Sequence, residues 1–302
     1  MNSHKNTVLR LGLASSKRAQ LKLGLIRSHR FLILRRLLQL GILLLFTMPV
    51  FGFWILKGTL GSSEFLGFIP LSDPFIFMQS LFSGHLYAGM GILGAFILAF
   101  TYWLLGGKSY CAWVCPINIV TDFAHWLRVK FKFKNHVSLP KNARFWIMIM
   151  VFIVSLISHT IAWELINPIT GIFRSIVYLS LNLSSIGLML ALLILILDSI
   201  VANRLWCGHL CPVGSFYKLL GTKTFLSVEA VHQDQCDDCA DCYKVCPEHH
   251  VLKPALKTPA IRIQNADCTR CGRCIDVCHT QVLAFKWGQP NTQAANSEQT
   301  GA

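Results

Sequence analysis

The chain has 302 residues, of which 53% are hydrophobic and only 14% are charged, and it carries a net charge of +14. Such an apolar composition excludes an ordinary soluble globular protein and predicts membrane-spanning segments. The net charge does not indicate nucleic-acid binding, because the excess of Lys and Arg lies in two segments, 1–36 and 106–144, that alternate with apolar runs.

Residues 1–36 form the first predicted element, a basic cytoplasmic arm. They contain nine Lys or Arg and no Asp or Glu. A cleaved signal peptide has a shorter charged region and a small-residue cleavage site after its apolar core, and this sequence has neither. We therefore expect an arm that is retained and lies on the anionic inner leaflet of a membrane.

Four apolar runs follow, and each is long enough to cross a bilayer core of roughly 30 Å, which takes about 20 helical residues. Buried core helices are the alternative, but runs of this length favour membrane spans. The positive-inside rule then places both termini and the 106–144 loop in the cytoplasm. The predicted fold is a four-helix membrane domain, 37–212, in a bacterial inner membrane. Its spans are Leu37–Leu56, His85–Leu105, Phe145–Trp163 and Leu183–Ala202.

A C-x3-C-P motif follows the second and the fourth of these runs, at Cys111–Pro116 and Cys207–Pro212. Each comes after an outer-loop Asp-Pro or Asn-Pro, an apolar run and an aromatic residue, so we predict two parallel two-helix repeats. Positions i and i+4 of a helical turn place two sulfurs on one face. The four cysteines could bind an iron–sulfur centre or another metal, or could be small buried residues at helix ends. They are Cys111, Cys115, Cys207 and Cys211.

The segment Cys236–Cys278 contains two copies of C-x2-C-x2-C-x3-C, the spacing by which thiolates hold a [4Fe–4S] cluster. Zinc or disulfides are the alternatives, but two four-ligand copies on the predicted cytoplasmic side favour clusters. The fourth cysteine of each copy ligates the other cluster. The two predicted ligand sets are Cys236, Cys239, Cys242 and Cys278, and Cys246, Cys268, Cys271 and Cys274.

The predicted ferredoxin-like domain, 230–287, follows a linker at 213–229 and precedes a polar tail, 288–302, that is expected to be disordered. Pro247 stands after the first cysteine copy as in bacterial ferredoxins. His279 replaces it after the second copy, without removing a ligand.

Ionisable residues in or beside the apolar runs are candidate catalytic groups, because desolvation makes them costly. His85 and His159 are predicted near the outer face, where they could take protons from a quinol, ligate a haem, or simply be bonded to water. Asp198 is predicted in the inner third of the fourth run. It could pair with Arg204 or serve a quinol site on that side.

Four apolar runs, two C-x3-C-P motifs and a double-cluster module, in this order, resemble the NapH-type ferredoxin proteins over nearly the whole chain. The resemblance implies a quinol dehydrogenase component of a periplasmic nitrate reductase system. Electrons from the membrane quinol pool would pass to a periplasmic ferredoxin-type iron–sulfur protein and on to the nitrate reductase. The membrane core is also similar to that of copper-oxidase assembly proteins. A factor that delivers copper to an exported enzyme and a membrane redox sensor are therefore the alternatives.

The predicted topology raises a distance problem for electron transfer. If quinol is oxidised at the outer histidines, its electrons start roughly 30 Å from cytoplasmic clusters, too far for one tunnelling step. Either the quinol site lies inward near Asp198, or an intermediate centre exists. We predict that the four C-x3-C-P cysteines form that redox-active centre.

Overall fold

The computed structural model describes residues 7–10, 13–53, 55–85, 89–133, 140, 142–177, 186–257 and 261–288. Within them, a helical part at 30–220 leads into a smaller C-terminal module at 226–288. The two parts meet at the C-x3-C-P motifs.

The N-terminal elements are a hairpin of β1 (Thr7–Arg10) and β2 (Leu13–Ser16), the short helix α1 (Lys17–Leu23) and the long helix α2 (Arg30–Thr47). Helix α2 ends in a 3-10 turn, Met48–Phe51, because Pro49 lacks the N–H that would continue an α-helix. An antiparallel sheet in the order β3-β4-β5 follows. Its strands are β3 (Leu56–Gly58), β4 (Ser62–Phe65) and β5 (Ile69–Ser72).

The next four helices lead to and from the first C-x3-C-P motif. The Asp73 carboxylate begins the first of them by accepting a hydrogen bond from the Phe75 N–H at 2.8 Å. The second packs directly on β5 at Gly94, where a Cβ would lie 2.8 Å from the carbonyl oxygen of Pro70. The helices are α3 (Pro74–Phe82), α4 (Gly89–Leu105), α5 (Ser109–Trp113) and α6 (Ile117–Phe131).

The second half of the helical part ends with the second C-x3-C-P motif. Two π-helical turns, Leu197–Val201 and Trp206–Leu210, stand between its last two helices. Pro212 begins the last helix, at the position where a missing N–H costs least. The helices are α7 (Ala143–Ser158), α8 (Ala162–Leu165), α9 (Pro168–Val177), α10 (Ile186–Ile196) and α11 (Pro212–Leu220).

The C-terminal module is held together by its first and last strands, which pair antiparallel with Leu226 opposite Trp287. Short helices between them carry the cysteine loops. The elements are β6 (Leu226–Ala230), α12 (Asp241–Val245), α13 (Leu252–Lys257), α14 (Arg273–Asp276) and β7 (Leu283–Trp287).

The four predicted membrane spans are wrong. Among the described residues, no helix combines the length and the apolar character that crossing a membrane requires. The first run ends as a helix at Thr47 and continues into a 3-10 turn and β3, and α7 stops at Ser158 because His159 adopts a left-handed conformation. The second run yields the 17-residue α4, and the fourth yields the 11-residue α10 and a π-turn.

The expected fold class and location are corrected with the spans. The same finding, that no described helix is long and apolar enough to cross a membrane, contradicts both the four-helix membrane architecture and the multi-pass placement in an inner membrane. The expected outer loops at 57–84 and 164–182 contain β3 to β5, α3 and α9, and the expected linker at 213–229 contains most of α11. Residues 1–6, Leu183 and the predicted tail beyond Gly288 lie outside the described part of the chain.

Two apolar cores stabilise the two parts. The helical core surrounds the C-x3-C-P motifs, and the module core lies between its strands and the cysteine loops. Burial of each large apolar side chain contributes about 1.5–3 kcal/mol. The first core includes Phe75, Tyr110, Ile117, Met148, Ile194 and Tyr217, and the second includes Val228, Val251, Leu252, Ile263, Ile275 and Val282.

Candidate metal centres

The eight cysteines of the C-terminal module line two cavities, four around each. The outer group, Cys236, Cys239, Cys242 and Cys278, surrounds a cavity of about 170 Å³. The inner group, Cys246, Cys268, Cys271 and Cys274, lines a second cavity. Each group takes three cysteines from one motif and the fourth from the other, as the spacing predicts. Ligation of a cluster by these groups stays a prediction.

The two cysteine loops have the same backbone course. In each motif the residues two and four positions after the first cysteine adopt left-handed conformations, with φ of 51° and 59° in one copy and 50° and 73° in the other. Left-handed residues turn successive backbone N–H groups toward one side, which favours anions there. The loops are therefore shaped to hold a negatively charged group. These residues are Asp238, Ala240, Arg270 and Gly272.

The four C-x3-C-P cysteines line a third cavity, of about 60 Å³, at the junction of the two parts. In each motif a helix begins just after the second cysteine: α6 begins two residues after Cys115, and α11 begins at the residue after Cys211. Gly107 lets the two motifs approach, because a Cβ there would lie 1.6 Å from the carbonyl oxygen of Tyr217. Cys271 of the inner group lines the same cavity, so the third site adjoins the inner one.

Burial raises the pKa of cysteines in both systems, including Cys239, Cys242, Cys246, Cys268 and Cys274 of the module, and Cys271 differs from them. Burial raises the pKa of Cys111 to about 12 and raises that of Cys115, Cys207 and Cys211. Burial would also raise the pKa of Cys271, but Arg35 and Arg273 outweigh it and lower that pKa. Four clustered thiols that ionise only with difficulty suit a soft metal, whose charge replaces the protons.

A buried carboxylate on α6 joins the helical part to the module. Asp122 accepts bonds from Arg36 at 2.6 Å, from Arg204 at 3.1 Å and from Arg273 of the module. Burial would raise the pKa of Asp122, but the arginines hold it well below its usual value. The carboxylate is therefore ionised and ties three segments together.

A second buried carboxylate, Asp267 of the module, makes the reciprocal connection. It accepts bonds from Lys108 at 3.1 Å, from Lys218 at 2.9 Å and from Arg144 of α7. Lys108 and Arg144 also lie 3.7 and 3.5 Å from Glu248. The cations of this cluster therefore face two carboxylates.

None of the three catalytic candidates from the sequence lines these cavities, but Asp198 adjoins the C-x3-C-P cavity through Trp206 and Cys207. His85 and His159 are exposed, and His159 lies beside Gly84, so the two histidines share one surface region. Asp198 is buried in the first π-turn, where its Oδ1 accepts a bond from the Trp206 N–H at 2.9 Å and its Oδ2 has no partner. Burial raises its pKa to about 6. The expected pair with Arg204 is absent from the described contacts, because Arg204 bonds to Asp122.

Sequence reasoning missed the polar face of α2. Arg35 is completely buried and lines the C-x3-C-P cavity, and Gln39 donates to the carbonyl oxygens of Ala112 and Cys115 at 3.2 and 3.4 Å. The signal was present: residues 35 and 39 stand one helical turn apart across the boundary between the basic arm and the first apolar run, so on one helix they share a face.

Family models match both cysteine systems. A 4Fe-4S binding domain matches residues 87–134 and again 184–227, and a 4Fe-4S dicluster domain matches residues 229–279. Each match of the first model contains one C-x3-C-P motif, and the second model covers all eight module cysteines. The chain is thus an iron–sulfur protein of the [4Fe–4S] type.

Curated relatives match over most of the chain. The ferredoxin-type protein NapH of Escherichia coli (strain K12) is 41% identical over 267 residues, which are 87% of this chain and 92% of that protein. NapH of Haemophilus influenzae is 40% identical over 275 residues, 90% of this chain and 94% of that protein. The chain belongs to the NapH family of ferredoxin-type proteins.

The NapH family also has relatives with another name. The methylamine utilization ferredoxin-type protein MauN of Methylobacillus flagellatus is 43% identical over 260 residues, 85% of this chain and 90% of that protein. No solved structure matches the chain. Membership of this ferredoxin-type family, together with the [4Fe–4S] domains, makes the chain an iron–sulfur electron-transfer protein.

Proposed function

We propose that this chain oxidises a quinol and passes the electrons, one at a time, through its cysteine centres to an acceptor protein. The observation that carries the proposal is the contiguity of the sites. Cys271 lines both the C-x3-C-P cavity and the inner cavity, so a thiolate-bound centre in one would adjoin a cluster in the other. Adjoining centres suit short electron-transfer steps.

The outer group is the proposed exit. Asp237 and Asp238, between its first two cysteines, have side chains that are 39% and 64% exposed, whereas the C-x3-C-P cysteines are buried or half-buried. An acceptor protein can therefore approach the outer group closely. Electrons would enter at the C-x3-C-P cysteines and leave from the outer cluster.

The residues proposed to hold the clusters fit that role. Four thiols around each module cavity supply the ligand set of a [4Fe–4S] cluster, and the left-handed loop residues turn N–H groups toward it. The bound clusters supply one-electron chemistry. The C-x3-C-P cysteines are proposed to hold a third thiolate centre.

Asp198 is the proposed proton acceptor for quinol oxidation. Its Oδ2 has no partner, its pKa of about 6 lets it exchange a proton near neutral pH, and it interacts with Cys207. His85 and His159 are proposed to take part at the exposed region that they share. Both roles are hypotheses about the donor side.

The proposed acceptor is a ferredoxin-type iron–sulfur protein that supplies a periplasmic nitrate reductase. Relatives named for methylamine utilization match with similar identity, so the proposal needs a test in cells. Deleting this chain should abolish quinol-dependent nitrate reduction. Normal nitrate reduction combined with lost growth on methylamine would reject the nitrate reductase as acceptor.

The decisive experiment follows cluster reduction by EPR. Protein purified without oxygen should show two [4Fe–4S] signals after dithionite, and the same signals after a quinol analogue. Cys111→Ser and Cys207→Ser should keep the dithionite signals and lose the quinol-driven ones. Ala112→Ser, which adds the same hydroxyl to a neighbouring buried position of the motif, is the control and should behave as wild type. Normal quinol-driven reduction in both cysteine variants would leave those cysteines a packing role.

The ligand sets need a separate variant. Cys246→Ser should damage the cluster held by the second cysteine motif, because Cys246 lines the inner cavity. Loss confined to the cluster of the first motif would reject cross-ligation.

Copper delivery is the second candidate function, and the four clustered thiols favour it, because soft thiolates select Cu(I). Titration with Cu(I) distinguishes the two functions. Stoichiometric Cu(I) binding that disappears in Cys111→Ser, together with no reduction of the clusters by quinol, would support delivery over electron transfer.

A further inference from the structure

Arg35 is a buried cation. Its side chain is completely buried, and within the described part of the chain none of its three guanidinium nitrogens has a hydrogen-bond partner. Burial lowers its pKa only to about 10, so it stays charged at neutral pH. An uncompensated buried charge is strongly destabilising. Such a residue is expected where an anion completes its surroundings.

The neighbouring protein groups do not supply that anion. Asp122 is bonded to Arg36, Arg204 and Arg273. Asp276 also interacts with Arg35, but its carboxylate accepts the N–H groups of Phe31 and Leu32. Including Arg35, four guanidinium groups thus share two carboxylates. The region carries a buried positive excess beside the cysteine cavities.

Both ends of the Arg35 helical segment are fixed. The N–H groups of Phe31 and Leu32 donate to the Asp276 carboxylate of the module at 3.2 and 3.1 Å. One turn beyond Arg35, Gln39 is bonded to carbonyl oxygens of the first C-x3-C-P motif. Helix α2 therefore holds the guanidinium in place between the motif and the module.

Arg35 adjoins the inner group through Cys271. It lines the C-x3-C-P cavity, not the inner one, together with Cys271, and the charges of these two side chains interact. A cluster bound by four thiolates is an anion, and its negative charge increases by one on reduction. A fixed cation beside it therefore favours the reduced form, and cluster potentials depend on such charges and on hydrogen bonds to sulfur.

We propose that Arg35 is a positioning residue that raises the reduction potential of the inner cluster, at Cys246, Cys268, Cys271 and Cys274, by compensating its charge. This inference rests on the proposed function, because it requires that the inner group binds a [4Fe–4S] cluster. Arg35 makes the inner cluster the preferred electron acceptor from the C-x3-C-P side. No other described contact of Arg35 accounts for its burial.

The test is an equilibrium redox titration of the whole chain with dithionite, followed by EPR. Arg35→Met, which keeps an unbranched aliphatic stem and removes the charge, should shift the reduction equilibrium of the inner cluster at least tenfold toward the oxidised form, which is 59 mV for a one-electron couple. The potential of the outer cluster should change less. Arg35→Lys, which retains a charge, should keep most of the wild-type potential.

Arg128 provides the matched control. It is a buried arginine that donates to the carbonyl oxygen of Ser199 at 2.9 Å and lines none of the three cysteine cavities. Arg128→Met should leave both cluster potentials in place. An equal shift in Arg128→Met and Arg35→Met would overturn the inference, as would an unchanged inner-cluster potential in Arg35→Met.

The iron content of each variant is measured as well, in case Arg35→Met loses its inner cluster. The decision then rests on Arg35→Lys. If this variant keeps its full iron content and a near-wild-type potential, the role of the charge is supported; if it loses the inner-cluster iron as Arg35→Met does, the inference is overturned. Because dithionite replaces quinol, failure of this test is distinct from failure of the proposed function. Wild-type protein without two [4Fe–4S] signals would reject that function itself.

Discussion

The two buried carboxylates at the junction, Asp122 and Asp267, do the same structural work with different charge balance. Their side chains are 3% and 7% exposed, and each is bonded to three cations. Asp122 binds two arginines of the helical part and one of the module, whereas all three cations of Asp267 belong to the helical part. Glu248 shares two of the cations of Asp267, whereas three arginines depend on Asp122. At one point of the junction two carboxylates thus face three cations, and at the other a single carboxylate is bonded to three arginines, which leaves the larger positive excess there.

Removing the Asp122 charge should have the largest effect on stability. Asp122→Asn leaves the buried Arg273 and the half-buried Arg36 and Arg204 without this anion, which costs about 3–5 kcal/mol. For a chain of this size, the anaerobic thermal midpoint should fall by about 10 °C. The control is Glu64→Gln, an exposed carboxylate on β4, which should stay within about 1 °C of wild type. A similar drop in both variants would show that the Asp122 ion pairs do not stabilise the fold more than an exposed carboxylate does.

Acid should remove the same contribution in the wild-type chain. The folded pKa of Asp122 lies below the ordinary value of 3.8, so its stabilising effect is complete above about pH 4 and disappears as the pH falls through the folded pKa. The stability gap between wild type and Asp122→Asn should thus be constant from about pH 5 to 8 and close at lower pH. Denaturation midpoints across this range check it. A gap that closes between pH 5 and 7 would contradict the depressed pKa.

Asp267→Asn should have a smaller effect than Asp122→Asn, although the carboxylate is almost as buried. Glu248 remains close to Lys108 and Arg144, so only part of the ion pairing is lost, about 1–3 kcal/mol. The thermal midpoint should fall by about 3–6 °C. A loss equal to that of Asp122→Asn would remove the distinction between the two carboxylates.

Lys218→Met should have the smallest effect. The Lys218 side chain is 39% exposed, and exposed ion pairs contribute at most about 1 kcal/mol. We expect a midpoint within about 2 °C of wild type, measured in the same anaerobic scan. A larger loss would mean that Lys218, and not Arg144, holds Asp267 in place.

The cysteine pattern could be predicted because its cause is local. A C-x2-C-x2-C loop converges its sulfurs through the geometry of six or seven residues, so the sequence indicates the two groups that the structure brings around the inner and outer cavities. The adjacency of the C-x3-C-P cysteines was also suggested by their duplication. What they bind is a matter for experiment.

The membrane spans could not be corrected from hydropathy, because hydropathy does not register where a helix ends. The left-handed His159 and the π-turn at Asp198 interrupt runs whose mean composition is still apolar enough to predict a span. The burial of Arg35 beside the cysteine cavity could not be predicted for another reason. Its environment depends on contacts with residues near Cys271, more than two hundred positions later, and no local pattern encodes such a contact.

The bonds from Phe31 and Leu32 to Asp276 span 245 and 244 positions of the chain. During synthesis, the first long helix emerges from the ribosome long before the carboxylate that caps it. Until Asp276 is made, the N–H groups at the start of that helix lack this partner. The first turn of α2 therefore gains its capping carboxylate only after most of the module has been synthesised.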